Sequence, residues 1–153
     1  LSAATPLFSD SPASPLSPTS VKFTVFGKPQ PQGSTRAFFI KSLGRAVITS
    51  DNKNLKPWRQ QLSETAMALG APLIGKNRPV SIAVDFFFER PKGASVKSRP
   101  GMTVKPDGDK LLRAVFDSLT GTIVTDDAQF VEIYVRKFYG LPERAEIQVG
   151  ELL

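Results

Sequence analysis

Pro79–Phe88 reads PVSIAVDFFF. β-Branched and aromatic residues occupy both parities of this run, so neither face of a strand built from it is polar. A central strand, buried on two sides, is the expectation.

Downstream, Glu89 to Val104 forms a long polar loop carrying Arg90, Lys92, Lys97 and Arg99. Loops of that length inside small domains are often functional or mobile. A short helix is predicted from about Asp109 to Leu119, with Leu111, Leu112, Val115, Phe116 and Leu119 as its buried stripe and Gly121 closing it. Ile123-Val124 leads into Asp126-Asp127. Gln129–Tyr139 then alternates as a strand, with Val131, Ile133 and Val135 on one face and Phe130, Tyr134 and Phe138 on the other. Ala145–Val149 is the final strand.

Upstream, Val21–Phe26 alternates as a strand stopped by Gly27 and Pro29. A Pro/Gly/Gln loop follows to Arg36. Ala37–Ile40 and Arg45–Thr49 read as two short strands around a turn at Ser42–Gly44. Ser50 or Asp51 can cap a helix running to about Leu69, with Gly70 beyond its end; Pro57 moves the start toward Lys56. Trp58, Leu62, Thr65, Ala66 and Leu69 share one face, which makes Trp58 a core anchor. The aromatics Phe38, Phe39 and Phe86 to Phe88 also read as core. The order β-ββ-α-β-α-β-β gives an α+β fold, a mixed sheet with two main helices.

Residues 1–20 are rich in Ser, Pro and Ala and read as a disordered tail. A cleaved targeting segment fits less well, because a basic start and a continuous apolar run are both missing. Residues 21–153 form one domain. The chain opens on Leu1 rather than Met, as a fragment or processed form does.

With 153 residues, 41% hydrophobic and 22% charged, the chain can bury one modest core. No apolar run approaches the roughly 20 residues that span a bilayer. There is no Cys and no His. Disulfides, zinc–thiolate sites and Ser-His or Cys-His catalysis are therefore excluded, and any chemistry must come from Asp, Glu, Lys, Arg, Tyr or Ser. A carboxylate inventory suits hard cations, Mg²⁺ first and Mn²⁺ as the alternative. The net charge of +6 is compatible with a polyanionic partner.

Lys105-Pro106-Asp107-Gly108-Asp109-Lys110-Leu111-Leu112-Arg113 and the later Asp126-Asp127 carry the chemistry. Pro106 and Gly108 keep the backbone extended until Asp109, so Asp107 and Asp109 can point the same way at a helix start that tolerates negative charge. Asp109 and Arg113 form an i,i+4 pair. If Asp127 folds beside them, three carboxylates repel unless a divalent cation neutralises them; such a cation also activates water. The alternative is local: Asp-x-Asp as helix capping, Asp-Asp as turn chemistry. Asp117 reads as solvated.

At these residues the chain resembles the RusA family of crossover-junction endodeoxyribonucleases of phages and prophages. The family pattern K-P-D-x-D-N-L-x-K, then A-V-x-D-x-L-x-G and V-x-D-D-x-Q-V, is matched by residues 105–121 and 124–130. Gly27-Lys28-Pro29-Gln30-Pro31-Gln32-Gly33 is similar to its G-x-P-x-P-x-G opening, and Arg90-Pro91-Lys92 to its R-P-K. The resemblance spans Val21 to Val149. It implies Asp107, Asp109 and Asp127 as metal-binding catalytic carboxylates, Asp126 supporting them, Arg113 in the catalytic set, Mg²⁺ as cofactor, and a homodimer resolving four-way or branched DNA in recombination and repair. Lys110 replaces the family's Asn and Arg113 its Lys, which leaves open an added phosphate contact or a drifting site.

Arg36, Arg90, Lys92, Lys97, Arg99, Lys105 and Lys110 are the candidate DNA contacts, against solvated loop charges as the alternative. The expected setting is the cytoplasm of a bacterial or phage-infected cell, with no membrane partner. Three functions stay open: a Mg²⁺-dependent junction nuclease, a branched-DNA-binding relative with a weakened or inactive site, and an acidic metal-binding structural protein of a phage.

Overall fold

The computed structural model describes residues 15–33, 35–50 and 52–153, with the backbone alone at 35–38 and 47–50. Its elements are β1 (Val21–Phe26), β2 (Thr35–Ile40), β3 (Arg45–Ser50), α1 (Leu55–Ala68), β4 (Val80–Phe88), α2 (Gly108–Leu119), β5 (Phe130–Tyr139) and β6 (Arg144–Glu151). Four strands form a mixed sheet in the order β1-β6-β4-β5, and β2 and β3 form a separate antiparallel hairpin. The α+β expectation holds. Residues 1–14, most of the expected tail, lie outside the described residues. At its last positions Leu16 bridges Leu152, and the Ser17 N–H donates to Glu151 O at 2.8 Å.

β4 is central and buried along both faces, for two different reasons. Val80, Ile82, Val84, Phe86 and Phe88 face the helices and join one core with Leu62, Leu111, Val115 and Leu119. Each such side chain, fully buried, contributes about 1.5–3 kcal/mol. The other face is covered by long side chains reaching across from neighbouring strands. Phe87 stacks on Phe138 at 5.2 Å beneath the Arg144 guanidinium, and Asp85 accepts two 2.8 Å hydrogen bonds from Arg136.

α1 starts at Leu55, which places Pro57 in the first turn, where an N–H has no intrahelical partner to lose. It buries Leu55, Trp58, Leu62 and Ala66 and ends before Gly70, whose positive φ closes it. Leu69 is exposed, so the expected stripe stops one turn early. Phe39, expected in the core, is 64% exposed on the hairpin.

α2 buries Leu111, Ala114, Val115, Ser118 and Leu119, while Leu112 and Phe116 sit at the rim. β4 and β5 are parallel, so α2 runs back against them as their crossover. A bulge at Val131 interrupts their register: Val80 faces Phe130, but Ser81 faces Glu132. The extra residue turns Phe130 inward, where it stacks on Phe116 at 4.5 Å, rather than leaving it on a face with Tyr134 and Phe138.

Candidate active site

Asp107 is the N-cap of α2, with extended backbone (φ −71°, ψ 143°), yet its carboxylate makes no capping hydrogen bond. Capping alone therefore does not account for it. Asp109, in the first turn two residues later, is exposed. Arg113 follows one turn later, also exposed, and among the described residues it forms no ion pair with Asp109.

Asp107 opens onto a groove of about 450 Å³. Lys105 and Lys110 line it from the α2 side, and Lys28 with the loop at Pro29 to Pro31 lines it from the other. The Gln32 N–H donates to Lys110 O at 3.0 Å and fastens that loop to α2. From β5, Lys137 Nζ donates to the carbonyl oxygens of Val104 and Pro106, at 2.8 and 2.9 Å, and holds the segment that ends in Asp107.

Asp127 sits elsewhere. It begins a 3-10 turn, Asp127–Gln129, just before β5. Asp126 caps that turn by accepting from the Ala128 N–H at 2.9 Å. Gln129, buried, accepts from the N–H groups of Thr125 and Asp126 and donates to the carbonyls of Gly75 and Arg78. Asp126 thus performs turn chemistry, while Asp127 projects exposed. Its carboxyl is pushed above the ordinary Asp range, first by partial removal from water, then by the neighbouring Asp126 and by Asp117, against a smaller opposite pull from the Ala128 N–H.

The Phe116–Phe130 stack places the turn that carries Asp127 at the C-terminal end of α2. Gly108, at the other end, stands against Val135: a Cβ there would lie 3.9 Å from its Cγ2. From Asp109 to Asp117 the helix rises about 12 Å. Within one chain Asp107 and Asp109, at the start of α2, therefore lie at the opposite end of the helix from Asp127, and among the described residues no three acidic groups form a metal cage. Asp117, expected to be solvated, is half-buried.

The remaining cations differ in what they hold. Arg90 donates to the carbonyls of Ala94, Ser95 and Arg99 and lies 4.4 Å over the Tyr139 ring, so it organises the 89–104 loop. Arg99 donates to the Tyr139 hydroxyl at 3.3 Å. Lys92 and Lys97 are exposed on that loop. Arg36 lies in β2 opposite Thr49, with only its backbone described. Lys28, Gln129 and Lys137 carried no assignment from sequence; the first two stand inside quoted motifs, whereas nothing local marks Lys137.

The sequence pattern of the family described as Endodeoxyribonuclease RusA matches residues 28–150, most of the chain. This chain belongs to the RusA family. An uncharacterized protein of Bacillus subtilis strain 168, YqaN, is 31% identical over 141 residues, covering 86% of this chain and 96% of its own. Membership makes an endodeoxyribonuclease the class of protein, and the mixed sheet with two helices is consistent with a RusA-like fold. No described helix is long and apolar enough to cross a membrane.

Proposed function

We propose that this RusA-family chain is a Mg²⁺-dependent endonuclease of four-way or branched DNA. It would work as a homodimer in which each site combines Asp107 and Asp109 of one copy with Asp127 of its partner. The observation that carries this reading is the placement of the acids at opposite ends of one apolar face. Val131, Ile133 and Val135 of the edge strand β5 are 63%, 44% and 37% exposed, beside the half-buried Leu112 and Phe116 of α2. An apolar edge strand is a surface that proteins normally cover. A two-fold axis through the middle of that face covers it with its own copy and exchanges its ends. The start of one α2 then meets the end of the other, and the divided carboxylates come together twice.

The donor set fits a hard divalent ion: oxygen ligands, two of them on one short segment, and a third whose raised pKa a cation would relieve. Mn²⁺ is the alternative ion. When bound, the ion supplies Lewis-acid polarisation of the phosphate and an activated water. The chain's own residues do the rest. Lys28, Lys105 and Lys110 hold the phosphate backbone in the groove beside Asp107, Arg113 contacts it from the exposed face of α2, and Lys137 keeps the Asp107 segment in place. Two such sites related by symmetry suit paired nicks in a junction, in recombination and repair within a bacterial or phage-infected cell.

A subunit-mixing experiment tests this. Asp107→Asn and Asp127→Asn are each expected to abolish cutting. In a mixed dimer of the two, one site carries both substitutions and the other carries neither. Mixing should therefore restore nicking to about a quarter of the wild-type site number. Continued cutting by the Asp107→Asn protein would overturn the reading, and no restoration on mixing would overturn the shared site. Binding of junctions without cutting by the wild type would favour the weakened-site reading, which the cationic surroundings of Lys110 support.

A further inference from the structure

The groove that holds Asp107 does not end at its own wall. Asn52 lines it and also lines a second open groove of about 440 Å³ between α1 and the later half of α2. Lys56, Arg59 and Ser63 of α1 and Asp117 of α2 face this second groove. The Asn52 amide donates to Gln30 Oε1 at 3.2 Å and to Pro31 O at 3.0 Å, while its oxygen accepts from the Asn54 N–H at 3.0 Å. One side chain thus ties the loop of the first groove to the entrance of α1, and it lines both grooves. Lys110 in the first and Asp117 in the second lie seven residues apart on one face of α2, about 10 Å along the axis.

The charges along this course are unbalanced. Lys28, Lys105 and Lys110 stand at one end and Lys56 and Arg59 at the other, against Asp107 and Asp117. Among the described residues none of the five cations forms an ion pair. Two cations face one acid in the second groove, which leaves it net positive. Unpaired cations spaced along one course repel each other, and a continuous polyanion offsets all of them at once.

We infer that the second groove is a backbone-phosphate subsite, in which Lys56 and Arg59 hold the DNA strand that runs out of the Asp107 groove. This rests on the nuclease reading and extends the DNA path to a helix that carries none of the motif residues.

The test uses the full chain and a labelled four-way junction in EDTA, so that binding is read without cutting, across a salt series. For Lys56→Gln/Arg59→Gln, with folding checked by thermal melting, binding at low salt should weaken on the order of ten-fold. The slope of log affinity against log salt should shrink by about 2, one unit per lost phosphate contact. The charge-preserving pair Lys56→Arg/Arg59→Lys should keep the slope. Wild-type affinity and slope in the Gln pair, with weakened binding in Lys28→Gln/Lys105→Gln, would overturn the second groove and leave the nuclease reading intact. A wild-type protein that binds no junction at low salt would overturn both.

Discussion

Lys137 Nζ donates to the Pro106 carbonyl oxygen at 2.9 Å, immediately before Asp107, while holding Val104 O at 2.8 Å from the same ammonium. An ammonium that spends two of its three N–H groups on backbone carbonyls beside Asp107 acts on the position of that segment. Removing a group that orients a metal ligand typically changes metal affinity or activity about 10–100-fold. Lys137→Met is therefore expected to raise the Mg²⁺ concentration for half-maximal cutting at least about ten-fold. Junction binding in EDTA should be unchanged, and Lys137→Arg should recover part of the loss. An unchanged Mg²⁺ midpoint would remove Lys137 from the site's support.

Gln129 closes the turn at the other end. Its side chain serves two N–H groups and two carbonyls from two segments, and it is buried. Gln129→Leu keeps the approximate size and removes all four bonds. Leaving such groups without partners should lower unfolding free energy by about 2–3 kcal/mol, read by urea denaturation. A loss below about 0.5 kcal/mol would mean that the turn is held mainly by Asp126.

The limits of sequence reading here are physical. β4 was legible because apolar residues at both parities leave no solvent face, and α2 because its stripe keeps the helical period. Phe130 was misplaced because the bulge at Val131 breaks the alternation without any residue that announces it. The acids themselves were legible as a motif. Their separation was not, because it follows from α2 running back between two parallel strands, which puts its start at one end and Asp127 at the other. Lys137 was silent for a similar reason: its partners lie more than thirty residues away in the chain.

Asp127 gives a pH-dependent prediction. Its folded pKa is raised, so its contribution to stability is complete below the unfolded carboxylate range and is lost as pH rises through the folded value. Desolvation is the largest cause, and Asp126 is next. Asp126→Asn keeps an oxygen to accept from the Ala128 N–H but removes the charge. The Asp127 midpoint in a carboxyl NMR titration should fall in this variant. Its melting temperature relative to wild type should rise as pH climbs through the carboxylate range. A midpoint that stays in place would assign the shift to desolvation and Asp117 without Asp126.

Ile133 tests how the two halves of the site meet. It sits mid-stripe on β5, 44% exposed, so Ile133→Glu should fold in the monomer with little loss. In a two-fold dimer the same position meets its own copy or a near neighbour, and two buried, unpaired carboxylates would face each other. Sedimentation should show a dimer for wild type and a monomer for the variant. Cutting should be lost although Asp107, Asp109 and Asp127 are all intact. A monomer that still cuts would show that one chain completes the site unaided. A variant that remains dimeric would move the interface away from β5, and the shared arrangement of the acids would fall with it.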